Sequence, residues 1–287
     1  MRRVPGLNGI GLGVRATLAV CLIAPIFCSP SASAQQTGTT LPVTQTPEVK
    51  APEVKTPEIK APEVKAPVVK APVDPLRTDW PNLKRFHDAD VALPAPAPDE
   101  QRVVFMGDSI TEGWTHHGVP PEPAASGKLY VNRGISGQTT PQMLLRFRQD
   151  VIDLKPSAVV IFAGTNDIAG NTGDMTPEQT EENLESMAEL AQAHSIPVIF
   201  CSILPAFDFP WKPGREPATK VVALNSWIKT YAASHGYEYV DFYAAMVDER
   251  GGLPEKLSKD GVHPNPDGYA IMTPLVDAGI AKTLTAK

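Results

Sequence analysis

VVFMGDSI, residues 103–110, is an apolar run of strand length that ends in a glycine followed by an acidic residue and a serine. Four further apolar runs of similar length follow, at residues 129–131, 158–162, 197–204 and 237–242. They alternate with segments of helical pattern, which predicts a parallel β-sheet covered by helices on both faces. In such a sheet, binding and catalytic residues collect beyond the carboxyl ends of the strands.

The helical segments carry recognisable start signals. The segment 140–154 has Thr140 as its expected N-cap with a proline next, and the segment 176–194 begins with a capping box. Two more helices are predicted at residues 218–234 and 266–281. Each lies between or after the apolar runs, as a doubly covered sheet requires.

Polar residues follow three of the predicted strands. The first strand runs into Gly-Asp-Ser-Ile at 107–110, the second into Asn-Arg-Gly-Ile-Ser-Gly at 132–137, and the third into Gly-Thr-Asn-Asp at 164–167. A fourth motif, Asp-Gly-Val-His-Pro at 260–264, precedes the last helix. The carboxyl ends of the strands are therefore where we expect the chemistry.

Ser109, His263 and Asp260 have the side chains of a nucleophile, a base and an orienting carboxylate. A serine hydroxyl is a poor nucleophile until a base removes its proton, and an imidazole does this better when a carboxylate fixes its tautomer. Asp260 and His263 stand three residues apart, so the carboxylate can reach Nδ1 while Nε2 faces outward. If this turn folds against the first strand, the three residues form a Ser-His-Asp triad.

Acyl transfer also needs hydrogen-bond donors directed at the oxyanion that develops in the transition state. The backbone amides of Ser109 and Gly137 and the side-chain amide of Asn166 follow neighbouring predicted strands and are the expected donors. A glycine lets the backbone approach a substrate without a Cβ in the way. Gly134, three residues before Gly137, remains an alternative for this position.

Taken together, these four motifs resemble the SGNH, or GDSL-type, hydrolase superfamily, from about Gln101 to the C-terminus. The resemblance implies a three-layer α/β/α sandwich with a flavodoxin-like parallel sheet of about five strands, and a serine esterase with no cofactor or metal. It implies that Ser109 is the nucleophile, Gly137 and Asn166 complete the oxyanion hole, His263 is the base and Asp260 orients it. The Asp-Trp-Pro-Asn segment at 79–82 resembles an N-terminal extension of bacterial members.

The N-terminal third differs in composition from the rest. Residues 1–34 combine arginines, an apolar stretch at 16–27 and Ser-Ala-Ser-Ala at 31–34, which predicts a cleaved export signal. Residues 35–75 contain Pro-Glu-Val-Lys-type pentapeptide repeats at 46–70, which predict an extended, disordered spacer. Residues 76–100 then form an N-terminal extension and residues 101–287 the hydrolase domain. We therefore expect a periplasmic or secreted protein with no stable membrane span after cleavage, and the spacer serves as a tether or as an idle linker.

Other side chains are less specific. We expect Asp108 and Asp167 to hold loops, and His116 and His117 to belong to a solvated loop. Cys201 lies in an apolar run and is expected to be a buried, inert thiol. Four aromatic residues are candidates either for a pocket wall or for ordinary packing, namely Trp114, Phe207, Phe209 and Trp211.

The formal net charge of the 287-residue chain is -6, so no basic field exists to attract nucleic acid. The sequence predicts a serine esterase that removes a short acyl group, with acetyl the leading candidate, from a carbohydrate or a similar small ester. A cell-envelope polysaccharide is a candidate partner. Alternatives are a lysophospholipase or thioesterase, a metallophosphoesterase, and a non-catalytic cell-envelope module. For the esterase, the rate should rise with pH as His263 loses its proton.

Overall fold

The computed structural model describes residues 78–116 and 128–285. The predicted export signal, the spacer and His117 lie outside these residues. Within them, the strands are β1 (Gln101–Gly107), β2 (Lys128–Gly134), β3 (Ala158–Phe162), β4 (Val198–Cys201) and β5 (Glu238–Val240). The helices are α1 (Lys84–Ala92), α2 (Ser109–Gly113), α3 (Thr140–Asp150), α4 (Thr165–Ala169), α5 (Pro177–Ala193), α6 (Pro217–His235), α7 (Phe242–Met246) and α8 (Pro266–Thr285).

The five strands form one sheet in the order β2-β1-β3-β4-β5, and every pair is parallel. This is the flavodoxin-like order, and helices cover both faces. The predicted three-layer α/β/α sandwich is therefore confirmed. The register pairs Gly107 with Gly134 on one side and with Phe162 on the other, so the carboxyl ends of β1, β2 and β3 lie side by side.

The core lies on both faces of the sheet because alternate strand residues point in opposite directions. One face packs against α3, α5 and α6 and includes Val104, Met106, Val159, Ile161, Val198 and Phe200. The other packs against α7 and α8 and includes Val103, Phe105, Val160, Phe162, Ile199 and Cys201. Strands buried on both faces explain the continuous apolar runs in the sequence.

Several sequence predictions about element ends need correction. The strand predicted over residues 237–242 ends at Val240, and Phe242 already begins α7. The N-cap of α3 is Thr139, not Thr140, and Gln142 Oε1 accepts a hydrogen bond from the Thr139 amide at 3.1 Å. The side chain of Thr140 is engaged elsewhere, since its Oγ1 donates to Asp167 at 2.5 Å. The strand predicted over residues 197–204 ends at Cys201, because the backbone amide of Ile203 donates to Asn225 Oδ1 at 2.7 Å instead of joining the sheet.

The segment 78–100, predicted as an extension, packs against the part of the chain that forms the sheet, and three glutamine side chains help to hold it. Gln138 donates to the carbonyl oxygen of Pro81, Gln142 to that of Trp80 and Gln149 to that of Leu83, at 2.7 to 2.8 Å. An ion pair between Asp90 on α1 and Arg133 adds a largely buried contact. The extension is therefore fixed chiefly through its backbone oxygens.

Cys201 is 1% exposed, and burial raises the pKa of its thiol, as expected of an inert cysteine. Among the helices of residues 78–116 and 128–285, none is long and apolar enough to cross a membrane.

Candidate active site

Three neighbouring strands bring three of the sequence motifs to one edge of the sheet. β1 ends at Gly107 and leads into Ser109, the first residue of α2. β2 leads into the turn that contains Gly137, and β3 leads into Asn166 on α4. Because β2 and β3 flank β1, all three motifs surround Ser109.

The fourth motif reaches the same edge from the other end of the chain. Ser109 Oγ lies 2.9 Å from His263 Nε2, and His263 Nδ1 lies 2.7 Å from Asp260 Oδ2. The three side chains thus form a continuous series of hydrogen bonds, although Ser109 and His263 are 154 positions apart in sequence. An arrangement of this kind can activate a serine hydroxyl for nucleophilic attack.

The Asp260 carboxylate accepts several hydrogen bonds within its own turn. Oδ1 accepts from the backbone amides of His263 and Val262 at 2.8 and 3.0 Å, and from the hydroxyl of Ser258 at 3.0 Å. Partial burial by itself would raise the pKa of Asp260, but the hydrogen bonds from the His263 side chain and these amides outweigh it and lower the pKa to about 2. An ionised carboxylate cannot donate, so Nδ1 carries the hydrogen and Nε2 of the neutral ring is free to accept from Ser109.

Gly137, rather than Gly134, faces the pocket. Gly137 has φ 77° and lines the pocket beside Ser109 and His263. A Cβ on Gly134 would lie 2.2 Å from the backbone nitrogen of Glu112, so that glycine is needed where α2 crosses the end of β2. The alternative left open by the sequence is thereby resolved in position, since only Gly137 of the two borders the cavity.

Asn166 is 3% exposed, and its amide is fully hydrogen-bonded. Nδ2 donates to the Gln138 carbonyl at 3.0 Å and to Asp108 Oδ2 at 3.2 Å. Oδ1 accepts from the side chain of Asn171 at 2.7 Å. The amide nitrogen therefore lies on the side toward β1, near the residue that precedes Ser109.

Asp108 and Asp167 hold the loops at this edge, as expected. Asp108 Oδ1 accepts from the backbone amide of Ile110 at 2.9 Å, and Asp167 accepts from the amide of Thr140 at 3.0 Å. Desolvation raises the pKa of Asp108 to about 7 and that of Asp167 to about 6. Both side chains are buried, and this loss of hydration disfavours the charged form of each carboxylate.

A buried arginine lies beneath these loops. Arg146 is fully buried on α3, donates to Gln138 Oε1 at 2.6 Å and to the Gly107 carbonyl at 3.1 Å, and pairs with Asp150 at 2.8 Å. It joins the end of β1 to the segment that follows Gly137. The planar guanidinium of Arg146 thus adds to the pairing of β1 with β2 in holding these two segments together.

The pocket in front of Ser109 has a volume of about 220 Å³ and is lined by Ser109, Ser136, Gly137, Asn166, Asn171, Trp211 and His263. Of the four aromatic candidates, only Trp211 borders it. Trp211 is 41% exposed, and its ring centroid lies 6.0 Å from that of His263. Trp114 and Phe209 are buried in the core, while Phe207 is exposed beside Arg250.

Sequence reasoning missed two contributors to this edge. Asn171, beyond the Gly-Thr-Asn-Asp motif, contacts Asn166, and Glu112 Oε2 accepts from the backbone amide of Ser136 at 2.9 Å. Asn171 follows Asn166 by five residues, just past the end of α4. Its position one short helix away from a site residue is the signal that could have drawn attention to it.

His116, expected in a solvated loop, is the last residue of a 3-10 helix (Trp114–His116) and is exposed. Over residues 78–116 and 128–285, no three or more His, Cys, Asp or Glu side chains are grouped closely enough to hold a metal ion.

Comparison with known proteins gives a consistent result. The model of the GDSL-like lipase/acylhydrolase family matches residues 105–271. A crystal structure of a GDSL-like lipase from Bacteroides thetaiotaomicron is 46% identical in sequence, with a TM-score of 0.67, and the match covers 71% of this chain and 98% of that one.

Two curated relatives are esterases by name. An acetylxylan esterase of Xylanibacter ruminicola is 26% identical over 223 residues, which is 66% of this chain and 45% of the esterase. The chain thus spans less than half the length of that relative. Esterase TesA of Pseudomonas aeruginosa is 30% identical over 174 residues, or 57% of this chain and 80% of the relative.

Proposed function

Because the chain belongs to the GDSL-like lipase/acylhydrolase family, we propose that it is a serine esterase that removes a short acyl group from a carbohydrate or another small ester. Ser109 is the nucleophile, His263 the general base and acid, and Asp260 the carboxylate that orients the imidazole. The backbone amides of Ser109 and Gly137 and the side-chain amide of Asn166 stabilise the oxyanion.

The observation that carries the proposal is the pair of short contacts through His263, 2.9 Å to Ser109 Oγ and 2.7 Å to Asp260 Oδ2. In the first half-reaction Ser109 Oγ attacks the ester carbonyl carbon while its proton passes to Nε2. The tetrahedral intermediate then collapses, the alcohol leaves with that proton, and the acyl group stays on Ser109. In the second half-reaction His263 deprotonates a water molecule, which attacks the acyl carbon. The bond to Ser109 Oγ then breaks, His263 returns the proton to Oγ, and the acid is released.

The oxyanion forms on the side of Ser109 where Gly137 and Asn166 lie. The contact of Asn166 Nδ2 with Asp108 at 3.2 Å is the longer of its two hydrogen bonds, and a developing oxyanion is a stronger acceptor for that hydrogen. A single donor of this kind contributes about 3 to 4 kcal/mol to transition-state stabilisation.

The size and lining of the pocket support a small acyl group. Its volume of about 220 Å³ is small for a ligand site, and Trp211 is the large apolar side chain at its edge. An exposed indole beside the nucleophile suits stacking against a sugar ring. The similarity to an acetylxylan esterase also favours an acetylated carbohydrate as the substrate.

The test compares Ser109→Ala with Ser226→Ala, an exposed serine on α6 outside the pocket. With p-nitrophenyl acetate, kcat of Ser109→Ala should fall on the order of 10⁶-fold, as for other serine triads, while Ser226→Ala stays at the wild-type value. Circular dichroism and urea unfolding check that both variants are folded. A folded, fully active Ser109→Ala would overturn the proposal.

Substrate choice is tested with p-nitrophenyl acetate, butyrate, octanoate and laurate, and with acetylated oligosaccharides. We expect kcat/KM to be highest for acetate and to fall with each longer chain. A maximum at octanoate or laurate would favour a lysophospholipase or thioesterase activity instead. No hydrolysis of any ester by the folded wild-type protein would point to a non-catalytic envelope module.

A further inference from the structure

Asn171 bonds to both segments that supply the proposed oxyanion donors. Its Nδ2 donates to Asn166 Oδ1 at 2.7 Å and to the carbonyl oxygen of Gly137 at 3.3 Å. Its Oδ1 accepts from the indole nitrogen of Trp211 at 2.9 Å. One half-buried side chain therefore connects the aromatic edge of the pocket to two strand-end motifs.

The chemistry of the indole fixes the direction of this chain of hydrogen bonds. Trp Nε1 is a donor only, so the oxygen of the Asn171 amide has to face Trp211. The nitrogen of Asn171 then faces Asn166, whose oxygen has to be the acceptor. The nitrogen of Asn166 is thereby turned away from Asn171, toward the Gln138 carbonyl and Asp108.

We propose that Asn171 is a positioning residue for the oxyanion hole and that Trp211 orients it, in a Trp211–Asn171–Asn166 relay. The relay keeps the amide nitrogen of Asn166 on the oxyanion side and holds the Gly137 segment at a fixed distance from it. This inference rests on the proposed function and adds residues that the four sequence motifs do not contain.

The surroundings of the relay restrict its movement. The backbone amide of Asn171 donates to the Asn166 carbonyl at 3.0 Å, and Lys212 donates to the Gly170 carbonyl at 2.9 Å. The ring of Trp211 packs against Phe209, with centroids 5.2 Å apart. Trp211 thus has two separable features, a ring that borders the pocket and an N–H that bonds to Asn171.

The experiment measures kcat and KM for p-nitrophenyl acetate in Asn171→Ala, Trp211→Phe and the double variant. Removing Asn171 should lower kcat about 10- to 100-fold, somewhat less than the loss of a whole oxyanion donor, with KM within about twofold of wild type. Trp211→Phe keeps an aromatic ring but loses the N–H, and should lower kcat about fivefold, the value of one hydrogen bond. The effect of Trp211→Phe is smaller than that of Asn171→Ala because Asn171 is retained and can still donate to Asn166 Oδ1.

The double variant distinguishes a relay from two independent packing effects. If Trp211 acts through Asn171, Trp211→Phe has no further effect on kcat once Asn171 is alanine, so the double variant matches Asn171→Ala. The matched control is Trp227→Phe, on α6 and stacked on Tyr231, which should leave kcat and KM unchanged. A merely structural role would instead give effects that multiply and would change KM as well.

Two results overturn the relay: kcat of Asn171→Ala within twofold of wild type, or multiplicative effects in the double variant. If Asn171→Ala does not fold, Trp211→Phe decides alone, and an unchanged kcat in that variant rejects the relay. Failure of the relay is distinguishable from failure of the proposed function, because an active Ser109→Ala rejects the latter whatever Asn171 does.

Discussion

The carboxylates on the two sides of the pocket have pKa values shifted in opposite directions. On the histidine turn, residues 258–264, the side chain of Asp260 is 42% exposed, and hydrogen bonds lower its pKa to about 2. On the strand-end side, residues 107–109 and 164–171, Asp108 is 2% exposed, and desolvation raises its pKa to about 7. Both carboxylates accept backbone hydrogen bonds, but Asp108 is fully buried, whereas Asp260 is only partly buried and also accepts from the His263 side chain.

This contrast separates the acid suited to chemistry from the acids that hold loops. A carboxylate that stabilises an imidazolium has to be charged during turnover, and Asp260 meets this requirement across the whole neutral range. Asp108 and Asp167 accept from Ile110 and Thr140 next to the strand ends, where either protonation state can accept a hydrogen bond.

Among the changes that test this contrast, Asp260→Asn should have the largest effect, and that effect is on turnover. The asparagine oxygen can still accept from Ser258, Val262 and His263, so the turn keeps its shape. Its NH₂ group, however, faces His263 Nδ1 and forces the wrong tautomer. We expect kcat to fall about 10⁴-fold while urea unfolding changes little.

The matched control for Asp260→Asn is Asp241→Asn, an N-cap on α7 with no contact to the pocket. Its kcat should equal that of wild type. Equal losses of turnover and stability in Asp260→Asn would mean that the carboxylate holds the turn rather than serving catalysis.

A second effect is on stability as a function of pH. The folded pKa values of Asp108 and Asp167, about 7 and about 6, lie above the ordinary value of 3.8. The folded protein therefore keeps protons that the unfolded chain has lost, and the free energy of unfolding falls as pH rises from about 4 to about 7. Each carboxyl contributes a slope of at most about 1.4 kcal/mol per pH unit.

Urea unfolding between pH 4 and pH 8 measures this slope in wild type and in Asp167→Asn. The variant retains an oxygen for the Thr140 amide but no longer titrates, so the slope below pH 6 should be shallower than in wild type. Identical slopes would show that Asp167 ionises with an ordinary pKa. The pKa values of the carboxylates on the two sides of the pocket would then differ less than described above.

The smallest effect is expected at the extension. Arg85 pairs with Glu112 at 3.0 Å, but their side chains are 53% and 32% exposed. Arg85→Ala should change the free energy of unfolding by less than about 0.5 kcal/mol, similar to Arg148→Ala, whose partner Asp153 is also exposed. A loss above 1 kcal/mol would show that Arg85 supports the strand-end side through Glu112 and Ser136.

The fold followed from hydrophobic pattern because the central strands β1, β3 and β4 are buried on both faces, and β3 was predicted with its observed ends. The error at β4 has a physical cause, since Ile203 and Leu204 are as apolar as strand residues but the backbone amide of Ile203 donates to the side chain of Asn225. The N-cap of α3 was placed at Thr140 instead of Thr139 for a different reason. Either of two adjacent threonines can serve as an N-cap, and only the hydrogen bond from Thr140 to Asp167 decides between them.

The candidate site was predictable where its residues are close in sequence or follow the ends of neighbouring parallel strands. Asp260 and His263 are three residues apart, and Ser109 and Asn166 follow adjacent strands, so sequence alone indicated their meeting. Asn171 and Trp211 are 40 residues apart in irregular segments, with no periodicity to relate them. Their contact depends on how two loops fold, which the pattern of apolar residues does not encode.

The hydrogen bonds from Gln138, Gln142 and Gln149 to the extension all go to main-chain oxygens. Such contacts do not depend on which side chains the extension carries, so substitutions at positions 80, 81 and 83 can accumulate over evolution provided that the bend at Asn82, with φ 58°, is preserved. Anyone trimming the protein for crystallisation should therefore start it upstream of residue 80, because a start beyond residue 83 leaves three glutamine amides without their acceptors.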